Sequence, residues 1–304
     1  MSEFEVIATG LQFPEGPIVM PDGSVILVEI KRGTLTRVWN GKSEVIANLG
    51  GGPNGAAFGP DGAVYVCNNG GFAWHEIAGI YNIPGDAAAD YTTGRIERVD
   101  LATGKFERVY ESVAGERLSG PNDIVFEKSG AFWFTDLGKW RPRVKERGGL
   151  YYAKPDGSLI KEIAYGSVGL NGVGLSPDES VVYAAETDTA RLWAFDVTGA
   201  GEIAPPPPGN VGRFVSGQPQ MCRFDSLAVQ ANGDICVATI GNGGITTFTP
   251  AGASSHTAFP DPLVTNIAFG GPDMRDAYIT LSATGQLIKT RWAEAGLKLN
   301  FAPY

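Results

Sequence analysis

Asn171-Gly-Val-Gly-Leu-Ser-Pro-Asp-Glu decides the fold of this chain, because its pattern occurs six times. A carboxamide or carboxylate opens the segment, an apolar run follows, and a turn residue stands seven positions after the opening one. The other copies are Glu15-Gly-Pro-Ile-Val-Met-Pro-Asp-Gly, Asn54-Gly-Ala-Ala-Phe-Gly-Pro-Asp-Gly, Asn122-Asp-Ile-Val-Phe-Glu-Lys-Ser-Gly, Asp225-Ser-Leu-Ala-Val-Gln-Ala-Asn-Gly and Asn266-Ile-Ala-Phe-Gly-Gly-Pro-Asp-Met. The turn residues are Asp22, Asp61, Ser129, Asp178, Asn232 and Asp273, and a second apolar run such as Ala131-Phe-Trp-Phe-Thr comes next. That order reads as strand, tight turn, strand. Gly149-Leu-Tyr-Tyr-Ala and Arg191-Leu-Trp-Ala-Phe supply third strands, and Leu159-Ile-Lys-Glu-Ile-Ala a fourth. Each repeat is a four-stranded meander.

One meander cannot bury both its faces, whereas six packed radially can, and closing the ring limits exposed sheet edges. The expectation is an all-β chain, a six-bladed β-propeller occupying residues 1–304 as one domain. The copies start at 15, 54, 122, 171, 225 and 266, giving spacings of 39, 68, 49, 54 and 41, against roughly 40–50 for propeller blades. The excess marks loop insertions. The largest runs from Gly70 to about Thr93 and holds Phe72, Trp74, His75, Ile77, Ile80, Tyr81 and Tyr91; another surrounds Pro205-Pro-Pro-Pro. So apolar an excursion at 70–93 is expected to fold over the channel mouth as a lid, with packing on the outside of a blade as the alternative. Phe4-Glu-Val-Ile-Ala precedes the first repeat and is expected to pair with the sixth blade, with Leu297-Lys-Leu-Asn-Phe as a competitor for that role.

A formal net charge of -9 argues against nucleic acid, which needs clustered Lys and Arg to displace phosphate counterions. No apolar run reaches the ~18 residues that span a bilayer, and the start lacks a signal-peptide pattern, so a cytoplasmic protein is expected. Cys67, Cys222 and Cys236 are too few and too irregular for a disulfide framework or a thiolate zinc site, and read as small buried apolar side chains.

If each copy begins the innermost strand of its blade, the opening residues Glu15, Asn54, Asn122, Asn171, Asp225 and Asn266 converge on the central channel. Such oxygen-only donors suit calcium, magnesium or manganese. Ordinary turn chemistry accounts for Asn54 and Asn266. It does not account for Glu15, whose charge would be costly in a channel lacking a cation.

Phe13-Pro-Glu-Gly-Pro, Gly120-Pro-Asn-Asp-Ile-Val, Phe132-Trp-Phe-Thr-Asp, Leu170-Asn-Gly-Val-Gly-Leu-Ser-Pro-Asp and Phe224-Asp-Ser-Leu-Ala-Val, in that order and at blade spacing, resemble the regucalcin, gluconolactonase and luciferin-regenerating enzyme family over nearly the whole chain. The resemblance implies a six-bladed propeller and one divalent metal, calcium foremost, with Mg2+, Mn2+, Fe2+ or Zn2+ as alternatives. It carries the metal ligands to Glu15, Asn171 and Asp225. Asn122 falls on an asparagine that serves some members as a ligand and others as a substrate or water partner. The activity implied is hydrolysis of a small lactone, a sugar lactone first.

A lactone is a cyclic ester, so its carbonyl must be polarised, water delivered and an oxyanion stabilised. Calcium acidifies water less than zinc does, so a carboxylate is wanted as general base. Asp225 is the candidate, with Asn122 beside it; Asp123, or a relay through Ser226, is the alternative. Asp136 is left outside the site. His75 and His256 form neither a hydrolase triad nor a metal pair. Arg141 and Arg143 are expected to grip a substrate hydroxyl or carboxylate. Two further readings use the same channel: phosphotriester hydrolysis, since diisopropyl fluorophosphatase resembles this family in fold and calcium site, and a metal-stabilised propeller that only binds.

Overall fold

The second and third strands of each blade are short and carry β-branched and aromatic residues, the composition of a pleated surface buried on both faces, whereas the inner strands hold more glycine, alanine and proline. The computed structural model describes residues 3–78, 81–218 and 222–303, with Tyr81 described by its backbone alone. Among these residues every regular element is a strand, and no helix is long and apolar enough to cross a membrane. Six antiparallel sheets follow one another along the chain. Blade 1 is the meander Pro14–Val19, Val25–Glu29, Thr34–Trp39 and Lys42–Asn48, and the inner strands of blades 2 to 6 are Pro53–Phe58, Pro121–Phe126, Leu170–Leu175, Arg223–Val229 and Val264–Gly270.

Alternation along the strands builds the ring. In blade 3, Phe132 and Phe134 join a cluster with Tyr65 and Ile96 of blade 2, while Trp133 between them packs with Val182 and Trp193 of blade 4. Successive side chains on a strand point to opposite faces, so each blade feeds two interfaces. There are six such buried clusters, one at each junction between neighbouring blades, the last joining Val19, Val25 and Leu27 of blade 1 to Tyr278 and Leu287 of blade 6.

Closure follows the expectation from the N-terminal stretch. Glu5–Ala8 is the outer strand of blade 6, with Glu5 opposite Lys289 and Val6 opposite Ile288, so the two ends of the chain share one sheet and no blade is left without a neighbour. The competing tail does something else. The Leu297 N–H donates to the Val229 carbonyl, Asn300 Nδ2 donates to the Phe126 carbonyl, and residues 297–302 close one end of the channel over a cavity of about 210 Å3.

The 70–93 insertion lies between the second and third strands of blade 2 as a hairpin, Phe72–Ile77 paired with Tyr81–Ala87. Ile80 and the Tyr81 side chain, which belonged to the expected lid, lie outside the described residues. The corresponding loop of blade 3 is the short hairpin Trp140–Arg141 and Val144–Lys145, which touches the first. The proline-rich stretch is an edge excursion of blade 4, between Glu202–Ile203 and Arg213–Gly217. Cys67 and Cys236 are buried free thiols as expected, and Cys222 is half-buried.

Candidate active site

At the opening polar residue every inner strand breaks register with its neighbour: between Glu15 and Ile18, Pro53 and Ala56, Pro121 and Ile124, Leu170 and Val173, Phe224 and Leu227, and Val264 and Asn266. Such bulges free residues from the ladder and re-aim their side chains. The result is one polar layer across the channel, in which all six opening residues are buried. Glycine follows the polar residue where backbones crowd. A Cβ on Gly16, whose φ is +52°, would meet the Asn54 carbonyl oxygen at 2.6 Å, and one on Gly172 would meet the Leu227 nitrogen at 2.5 Å. Only glycine allows that approach.

Glu15, Asn54, Asn122, Asn171 and Asp225 line a cavity of about 290 Å3 at the end of the channel away from the tail. Its walls are apolar, with Phe13, Leu137, Trp140 and Leu263 from the blades and Phe72 and Pro84 from the hairpin. The hairpin therefore roofs the polar layer as a lid. Trp74 stacks behind it on Phe13, with ring centroids 5.1 Å apart. Lys139, fully buried beneath the lid base, donates to Asn69 Oδ1 (3.0 Å) and the Gly71 carbonyl (2.7 Å), and its ammonium lies 3.8 Å from the Phe72 ring centroid. Burial pushes its pKa down to about 7 despite the carboxylate of Asp136.

Two of these residues are oriented by partners behind them. Glu15 Oε2 accepts from the Gly16 N–H (2.8 Å) and from Asn266 Nδ2 (2.7 Å). Asn171 Nδ2 donates to Thr187 Oγ1 at 3.1 Å and also lies within hydrogen-bonding reach of Asp225, which leaves its oxygen without a partner. Thr135 donates to the Asn171 carbonyl and accepts from the Asp123 N–H, tying blade 3 to blade 4. The sequence attached no role to Thr135, although it lies in the Phe132-Trp-Phe-Thr-Asp motif, or to Thr187, which lies in none of the quoted motifs.

Two observations test whether these residues fit a cation. Asn122 Oδ1 and Asn171 Oδ1 are buried and have no hydrogen-bond partner, although buried acceptors are almost always satisfied. Burial also raises the pKa of Glu15 and Asp225, and Glu15's negative charge adds to the rise at Asp225. Unsatisfied carbonyl oxygens beside carboxylates that resist ionisation are what a divalent ion with oxygen ligands would relieve. Among the described residues no three His, Cys, Asp or Glu side chains gather tightly enough to hold an ion by themselves; half of the set here is carboxamide.

Asp123 and Asn266 face the other way. Both line the tail-side cavity, and Asp123 accepts from the N–H groups of Ile124 (3.0 Å) and Val173 (3.3 Å). That places Asp123 below the polar layer, away from the roofed cavity, and leaves Glu15 and Asp225 as the buried carboxylates of the layer that line it. Asp136 accepts from the backbone N–H groups of Ser119, Gly120 and Gly138 and braces a loop. Arg141 does not reach the cavity as expected: it pairs with Glu146 at 3.0 Å on the exposed side of its hairpin, and Arg143 is also exposed. Lys145 and Arg223 stand at the cavity rim instead.

Asn266, which the turn reading left without a role, holds Glu15. Asn266→Ala is expected to weaken metal binding about 10–100-fold, the usual effect of removing a partner behind a ligand, while Asn54→Ala leaves affinity within a few-fold. Calorimetric titration of the two variants with Ca2+ measures the difference.

A family model described as SMP-30/Gluconolactonase/LRE-like region matches residues 13–283. The chain belongs to that family. It is 28% identical to a gluconolactonase of Zymomonas mobilis over 221 residues, covering 65% of this chain and 56% of that protein, so the match spans little more than half of the relative. It is 26% identical to a lactonase of Staphylococcus saprophyticus over 252 residues, covering 82% of this chain and 70% of the other. Among solved structures, a calcium-binding regucalcin of Agrobacterium tumefaciens superposes with a TM-score of 0.75 at 19% identity, covering 99% and 97% of the two chains. A gluconolactonase of Xanthomonas campestris gives 0.74 at 20%, covering 95% and 89%. Fold and family thus agree with the motif order read from the sequence.

Proposed function

We propose that this family member is a calcium-dependent lactonase acting on a small sugar-type lactone in the roofed cavity. The observation that carries the reading is the pair of partnerless carboxamide oxygens, Asn122 Oδ1 and Asn171 Oδ1, beside the buried carboxylates Glu15 and Asp225. The lactonase relatives in Zymomonas and Staphylococcus support the substrate class, and the calcium-binding neighbour supports the ion.

Glu15, Asn122, Asn171 and Asp225 would hold a divalent cation, whose chemistry there is to polarise the lactone carbonyl and offset the developing oxyanion charge. Asp225 accepts the proton of the attacking water, as the buried carboxylate lining the cavity that remains once Glu15 is held as a ligand by Asn266. Asn122 orients that water, whose O–H its partnerless carboxamide oxygen can accept. Glu15, held by Asn266, stays a ligand and balances charge. Phe72, Trp140 and Leu263 exclude bulk water and pack on the ring faces.

Acid release from a panel of neutral and sugar lactones, followed at constant pH, tests this. Turnover is expected to fall at least about 100-fold on chelation and to return with added Ca2+. Absence of turnover on every lactone at saturating metal would reject the enzyme reading in favour of a propeller that only binds.

A further inference from the structure

The rim of the roofed cavity carries charges that the reaction described above does not use. Lys145 pairs with Asp188 and donates to the Val168 carbonyl at 2.9 Å, so its charge is engaged. Asp188 makes that pair through Oδ2 only; its Oδ1 is buried and has no hydrogen-bond partner. Arg223 is set against the Trp140 ring, guanidinium carbon 5.9 Å from the centroid, and makes no ion pair among the described residues. Trp140 has Lys145 against the same ring at 4.6 Å. Asp86, on the lid hairpin, is the other rim carboxylate.

The charges inside then sort themselves. Glu15 and Asp225 match a dication and Lys145 matches Asp188; Arg223, exposed at the rim, and Asp86 on the lid hairpin are the two rim charges without an ion pair among the described residues. Arg223 starts the strand that carries Asp225, two residues or roughly 6.5 Å of extended chain from it, so its position relative to the reacting carbonyl is fixed by the backbone. A guanidinium stacked on an aromatic ring is pre-organised to bind a planar carboxylate through two N–H groups.

Resting on the lactonase reading, we propose that Arg223 recognises the far end of the substrate by binding its free carboxylate, while Asp188 keeps Lys145 engaged. The substrate class is then the monolactone of a polyhydroxy dicarboxylic acid, rather than a neutral sugar lactone or a flat apolar one.

Glucaro-1,4-lactone, glucono-1,5-lactone and dihydrocoumarin, compared on the calcium-loaded protein, provide the test. The wild type is expected to favour the dicarboxylic lactone about tenfold or more in kcat/KM over the neutral sugar lactone. Arg223→Gln is expected to erase that preference by raising KM for the dicarboxylic lactone alone, and Arg223→Lys to keep part of it. Asp86→Asn is expected to leave the preference in place. An unchanged ratio in Arg223→Gln, a preference for the neutral or the apolar lactone, or loss of the preference in Asp86→Asn would each overturn the assignment. Calorimetry with glucarate against gluconate reads the same grip without turnover. Tighter binding of glucarate that vanishes in Arg223→Gln therefore upholds the rim assignment even where no lactone is hydrolysed, and equal binding in both proteins rejects it.

Discussion

Asp225→Asn, saturated with Ca2+, is expected to turn lactone over about 10²–10⁴-fold more slowly than the wild type, the range for loss of a general base. The substitution keeps the side-chain shape and one ligating oxygen but removes the proton acceptor and one ligand charge. Metal affinity should fall too, so occupancy must be set by titration before rates are compared. Glu15→Gln is the control. It removes a proposed ligand charge on blade 1, across the channel from blade 5, and leaves the base, so excess Ca2+ should restore most of its rate, which a defect in proton transfer would not allow. A calcium-saturated Asp225→Asn protein with near-normal kcat would take the base role from Asp225. Asp123 would not inherit it easily, because its oxygens are turned to the tail-side cavity and engaged by Ile124 and Val173.

The chelated protein is expected to lose stability as pH rises from about 4 to about 7, and calcium to abolish that loss. Burial and the negative charge of Glu15 push Asp123 from an ordinary 3.8 up to about 7, and Glu15 and Asp225 are raised as well. Between 3.8 and about 7 the folded state holds a proton that the unfolded chain has released. Stability therefore declines with pH across that window, and the deficit is complete and constant above it. For Asp123 alone the loss is on the order of 4 kcal/mol, and at ~2–4 °C per kcal/mol for a chain of this size class the melting temperature should drop by about 10 °C. A divalent ion in the polar layer favours the charged forms and reverses the trend. Melting curves with chelator and with Ca2+ between pH 5 and 8 decide it. A chelated protein whose melting temperature is flat or rises over that range would show that these carboxylates ionise without help.

Repeat period and alternation made the propeller legible in the sequence. The segments opening at Glu15, Asn54, Asn122, Asn171, Asp225 and Asn266 are local patterns, each stating its strand and turn without reference to the others. Six equal units leave a ring as the way to bury both faces of each. The polar layer follows directly, since identical positions in a ring share one height and the six opening residues needed no distances to be grouped; the choice of Glu15, Asn122, Asn171 and Asp225 among them came from the family resemblance. The closing strand at Glu5–Ala8 was equally readable as a spare β-run before the first repeat.

Orientation within that layer was decided only by the tertiary structure. Asn122 and Asp123 are adjacent in sequence, yet the bulge sends one to the roofed cavity and the other to the tail side. A bulge is a property of two strands in register, and one strand's sequence does not contain it. Asn266 and Thr187 orient ligands from other blades or other strands, at separations of 251 and 16 residues. Arg141 was the expected grip because it follows Gly138-Lys-Trp in an exposed loop, but a partner five residues away, Glu146, claims it, and Arg223 takes the rim from a different blade. What the sequence determined by itself was therefore the set of elements and the height of the polar residues, because both depend on short-range periodicity. Which oxygen faces the ion, which carboxylate faces the water and which cation faces the substrate depend on contacts between blades, and those exist only once the ring has closed.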